Sequence, residues 1–103
     1  MESSKQRDDE IRKMIQQLNE KARGLIDATQ SDSHLGMPLE KRVKTLQDLK
    51  EDSETLLKET INVLTQEGYQ KNRDMISVCF NNMTDLSSRL DSAIRNIKNK
   101  AVR

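Results

Sequence analysis

Apolar side chains recur every three or four positions through most of this chain, in three long stretches separated by polar breaks. The first stretch runs from about Lys5 to Thr29. Its apolar positions are Ile11, Met14, Ile15, Leu18, Ala22, Leu25, Ile26 and Ala28. That spacing places nearly all of them on one face of a helix. Gly24 lies inside it and costs up to ~1 kcal/mol relative to Ala. The run Gln30-Ser31-Asp32-Ser33-His34-Leu35-Gly36-Met37 has little periodicity and reads as a loop.

Pro38 opens the second stretch, which extends over 38–67. Proline suits the first helical position because its missing N–H would be unpaired there. Glu40 then meets the positive end of the helix dipole. The expected apolar face is Leu39, Val43, Leu46, Leu49, Leu56, Leu57, Ile61, Val63 and Leu64, with Ser53 and Thr60 small enough to pack within it. Glu67-Gly68-Tyr69 reads as a stop, since Gly68 is free to take a left-handed conformation. The third stretch covers 71–101. Its face is Ile76, Cys79, Phe80, Met83, Leu86, Leu90, Ala93, Ile94, Ile97 and Ala101. Asn81, Asn82, Thr84, Ser87 and Ser88 lower helix propensity at its centre, so packing must hold it there.

No stretch alternates in the strand manner. The expected fold is all-α: a single helical domain over 1–103, folded as an antiparallel up-down-up three-helix bundle of long amphipathic helices. Each helix would span roughly 35–45 Å at 1.5 Å per residue. The short second connection makes the second and third helices antiparallel neighbours. One apolar stripe per helix also suits a longer coiled-coil assembly.

Composition narrows the function. The chain has 103 residues, 33% hydrophobic and 34% charged, with one Phe, one Tyr and no Trp. So few bulky side chains favour a slim bundle over a thick core around a deep pocket. A formal net charge of +1 lacks the broad basic excess of a general nucleic-acid binder. Cys79 is the single cysteine, so no intrachain disulfide forms. The opening residues MESSKQRDDE carry no apolar signal stretch. No run approaches the ~18–20 apolar residues of a membrane span. The expected setting is the cytoplasm or the nucleus.

Catalytic chemistry has little to build on. His34 is the only histidine, so no two-His metal site forms. Three scattered glycines make no phosphate loop. Cys79 with His34 is a conceivable nucleophile pair, but Cys79 falls on the apolar face and reads as a small core residue. Asn82-Met83-Thr84 matches the glycosylation pattern by chance, because Met83 is a core position. No catalytic residue, metal or cofactor is expected, and the chain reads as a binding protein. Two charge features bear on partners. The C-terminal Arg89, Arg95, Lys98, Lys100 and Arg103 face one acid, Asp91. They suit a helix C-terminus or form a docking strip for an acidic partner. In the second helix, Lys41, Arg42 and Lys44 precede Asp48, Glu51, Asp52, Glu54 and Glu59.

Three stretches resemble the BAG domain, a three-helix bundle that binds the ATPase domain of Hsp70-class chaperones. They are Leu18-Asn19-Glu20-Lys21-Ala22-Arg23-Gly24-Leu25, Leu39-Glu40-Lys41-Arg42-Val43-Lys44 and Lys71-Asn72-Arg73-Asp74-Met75-Ile76. The likeness runs from Leu18 onward. It implies a co-chaperone domain that promotes nucleotide exchange, contacting its partner through acids on the second helix and an Arg and a Gln on the third. Aligned on the basic stretch, the first acid falls on Asp48. The second falls on Lys58, a reversal, with Glu59 the next residue. The arginine falls on Arg73 and the glutamine on Asn81, a shorter amide. The implied partner-binding set is therefore Asp48, Glu59, Arg73 and Asn81. Without chaperone binding, the same features suit a helical adaptor or a coiled-coil complex subunit.

Overall fold

A computed structural model describes residues 2–30 and 38–101 of the chain. Three helices account for nearly all of them: α1 Glu2–Gln30, α2 Leu39–Gly68 and α3 Arg73–Ala101. The first loop with His34, and the side chains of Lys100, Ala101 and Arg103, lie outside the described residues. The bundle is a rod of 55 × 19 × 15 Å. That length is set by the helices, since thirty residues rise about 45 Å.

Cross-helix hydrogen bonds fix the direction of each helix. Lys50 reaches Asp91 and Ser87 reaches Glu54, so α2 and α3 run antiparallel. Arg7 reaches Asn72 and Asn19 reaches Asn82, so α1 runs parallel to α3. The expected up-down-up three-helix bundle is what forms. Its core comprises Ile11, Ile15 and Ala22 from α1, Val43, Leu46, Leu49, Leu57 and Leu64 from α2, and Met75, Cys79, Leu86, Leu90, Ala93, Ile94 and Ile97 from α3. Ser53 packs within it, as its size allows. The α2–α3 pair carries most of the tertiary contact, and α1 lies against it more lightly.

The helix ends shift by a few residues from the sequence expectation. Pro38 stands just before α2 rather than inside it. Its ψ of 148° keeps it extended, while its carbonyl accepts from the backbone N–H groups of Lys41 and Arg42 at 3.1 Å each. α2 runs to Gly68, whose φ of +149° turns the chain in a way that other residues rarely allow. The Gly68 carbonyl accepts from the Asn72 N–H at 3.0 Å, closing the turn, and α3 starts only at Arg73.

Four residues expected on apolar core faces are exposed. Phe80 is 56% exposed, Val63 50%, and Leu39 and Leu56 38% each. Each sits at the edge of its helix's apolar stripe, where burial depends on a neighbour that this bundle does not supply. Met75 takes a core place that the expected face of α3 omitted. The buried Asn72 was also missed, because nothing in the sequence marks a turn asparagine as interior.

Candidate partner-binding surface

The α2–α3 pair has two sides, and α1 covers one. Val78 and Asn82 of α3 border α1, where they line a shared groove with Ile15, Asn19 and Arg23. Ser87 and Asp91 of α3 instead meet α2, through Glu54 and Lys50. The α3 flank that continues this second line stays open. Arg73, Phe80 and Asp91 fall along it, because intervals of seven and eleven residues return a helix to nearly the same side.

Two polar clamps fix the register of this seam. Lys50 Nζ donates to Asp91 Oδ1 at 2.8 Å, and Ser87 Oγ donates to Glu54 Oε1 at 2.5 Å. The hydrogen bond to Asp91 raises the Lys50 pKa above the ordinary lysine value. Partial burial opposes the rise, and the charges of Asp91 and Glu54 add to it. Carried along the antiparallel pair, the same register sets Ile61 of α2 beside Phe80. Ile61 and Ile76 are partly buried against the core.

Each residue of the implied binding set is solvent-exposed, but the four do not form one cluster. Arg73 makes no ion pair with any described residue and sits at the start of α3 on the open flank. Asn81 follows it by eight residues and is turned by about 80° toward the outer side of α3. Asp48 and Glu59 are eleven residues apart, so they share one side of α2. That side borders α1: Glu59 lines a groove with Arg7, Ile11, Leu56, Thr60 and Val63. Lys58 is four residues from Glu54 and so continues α2's side of the open seam. The structure thus groups Arg73 with Phe80 and Lys58, and places Asp48 and Glu59 around the corner of α2.

The remaining candidates resolve simply. Cys79 is fully buried, and burial pushes its thiol pKa up, which keeps it protonated and unreactive. Asn82 accepts a hydrogen bond from Asn19 Nδ2 at 3.1 Å and helps hold α1 in place. In the basic C-terminal stretch, Arg89 pairs with Asp85 at 3.1 Å along its own helix. Asp91, the acid among those cations, is taken by Lys50. Arg95 and Lys98 are exposed. No helix among the described residues is long and apolar enough to cross a membrane.

No protein-family model matches this chain, and no curated protein and no solved structure matches it either.

Proposed function

We propose that this chain is a binding module, not an enzyme: a BAG-type co-chaperone domain that docks on the ATPase domain of an Hsp70-class chaperone and promotes nucleotide exchange. The observation that carries this reading is Arg73, an exposed arginine with no ion-pair partner among the described residues, on the open side of the α2–α3 pair. A planar guanidinium in that position can pair bidentately with a carboxylate of the partner. Asn81 on the same helix offers an amide, and Asp48 and Glu59 on α2 offer acids. The slim rod suits the task. A rigid body that binds the open arrangement of a two-lobed ATPase more tightly than the closed one shifts the population toward open and speeds nucleotide release. A cytoplasmic or nuclear setting goes with that partner.

The test is release of labelled ADP from an Hsp70 ATPase domain with and without this chain. The expected outcome is acceleration by the wild type and none by Arg73→Ala, with helical content unchanged. No acceleration at large excess of the wild type defeats the reading.

A second reading, a helical adaptor or coiled-coil complex subunit, draws support from the exposed Leu56 and Val63 beside the α1–α2 groove. An obligate oligomer in sedimentation would favour it over the first.

A further inference from the structure

Phe80 is one of two aromatic residues in the chain, and its ring is 56% exposed. It stands at the edge of α3's apolar stripe, outside the core. Aromatic residues and arginine are enriched at the buried centres of protein interfaces. Its position adds to that. Arg73 lies two turns earlier on the same flank of α3, about 10 Å away along the axis. Ile76, one turn earlier on α3, and Ile61 of α2 are partly buried against the core. The Glu54–Ser87 and Lys50–Asp91 clamps rigidify the seam just beyond it.

We propose that Phe80 is the apolar anchor of the partner-binding face, seated in an apolar recess of the chaperone ATPase domain beside a carboxylate that receives Arg73. This rests on the co-chaperone reading above and names the contact that supplies its affinity. Charge complementarity fixes the partner's chemistry. Arg73 makes no ion pair with any described residue, the exposed Lys58 of α2 lies along the same seam, and Asp91, the acid of this flank, is engaged by Lys50. The matching surface therefore has an acidic rim around an apolar pocket. An aromatic with a neighbouring arginine at the centre of a docking face, ringed by polar contacts, is the arrangement in which a few side chains carry most of the binding.

Titration calorimetry of the full chain against an Hsp70 ATPase domain tests this. Phe80→Ala is expected to weaken binding at least about tenfold, as anchor residues do, with helical content unchanged. Leu39→Ala, an exposed apolar residue at the far end of α2, is the control and is expected to bind as the wild type does. Phe80→Leu, which keeps an apolar group, is expected to recover part of the loss. If the wild type binds and Phe80→Ala stays within about twofold of it, Phe80 is not the anchor and the co-chaperone reading survives. If Leu39→Ala loses as much as Phe80→Ala, the loss is not specific to the Phe80 face and the anchor assignment is wrong. If the wild type does not bind at all, the co-chaperone reading and the anchor fall together.

Discussion

Between α2 and α3 the contact is built from leucine, isoleucine, alanine, cysteine and methionine. Between α1 and that pair, amides and guanidinium groups take a large share. Arg7 bonds Asn72 at 3.1 Å and also pairs with Glu67. Asn19 bonds Asn82 at mid-length. Arg42 Nη1 reaches the Thr29 carbonyl at 3.5 Å, beyond the usual hydrogen-bond length. This second seam is also less completely satisfied. Asn19 Oδ1 and Arg7 Nε are buried without a partner among the described residues. An apolar seam gains free energy in proportion to the area it removes from water. A polar seam nets only about 0.5–1.5 kcal/mol per hydrogen bond, and each orphaned group subtracts from that. The comparison teaches that α2–α3 is the stable unit and α1 a strap fastened at its two ends and its middle. Arg73 and Phe80 lie on the side of the stable unit that the strap leaves bare, while Asp48 and Glu59 lie on the side that borders it.

The largest effect expected is at Leu90, which is fully buried on α3. Leu90→Ala should cost roughly 3–5 kcal/mol from lost burial and the cavity left behind. A domain of this size holds only about 5–15 kcal/mol in all, so urea unfolding followed by circular dichroism should show a large fall in the midpoint. A cost under about 1 kcal/mol would mean that the α2–α3 core is loosely packed and the contrast with α1 is false.

Asn72 gives the next largest. It joins all three helices: its Nδ2 donates to the buried Leu64 carbonyl at 2.9 Å, its Oδ1 accepts from Arg7, and it precedes α3. Asn72→Ala removes both side-chain bonds and should cost about 1–3 kcal/mol. The loss should not be uniform. Native-state hydrogen exchange should show α1 amides opening more readily, while the centre of α2 and α3 keeps its protection. Equal acceleration in all three helices would show that the bundle opens as one piece.

Alkaline pH tests the α2–α3 seam from another side. Lys50 and Cys79 both hold their proton more tightly in the folded chain than in the unfolded one. Their contribution is complete below the unfolded-state values and is lost as pH rises through the folded ones. Stability should therefore be level near neutrality, begin to fall above about pH 8.5 with the thiol, and fall further above about pH 10.4 with the lysine. The Lys50 part is small, about 0.2–1 kcal/mol for an exposed pair. Lys50→Met should flatten the upper portion of the urea midpoint against pH. An unchanged slope would remove the Lys50–Asp91 clamp from the account.

The smallest effect concerns Ser53. Its residue is 2% exposed, and its Oγ has no hydrogen-bond partner among the described residues. Ser53→Ala removes a buried unpaired hydroxyl and raises helix propensity, so it should be neutral or stabilise by up to about 1 kcal/mol. A destabilised variant would reveal that the hydroxyl has a partner after all.

Much of the fold was legible in the chain because a helix writes its buried side at a fixed period. Ile11, Ile15, Leu46, Leu57, Leu86, Leu90 and Ile97 each fall at the centre of a stripe, and each is buried. The breaks at Gly68 and Pro38 were legible from backbone chemistry alone. The candidate site was less so. Arg73 and Asn81 stand exposed on α3, but the period could not show that Glu59 looks into the α1–α2 groove while Lys58 looks along the open seam. One residue turns a helix by about 100°, which is enough to move a charge from one face of the bundle to another.

By itself the sequence determined three helices, their approximate ends, their order and the middle of each buried stripe. Those depend on local rotation and on turn residues, which neighbouring positions fix. Only the tertiary structure decided the edges. α1 settles on the Val78 and Asn82 side of α3, so the other side keeps Phe80 and Arg73 in water. Asn72 becomes interior because Leu64 and Arg7 converge on it. A stripe edge is buried or bare according to where a distant helix lands, and no local period encodes that.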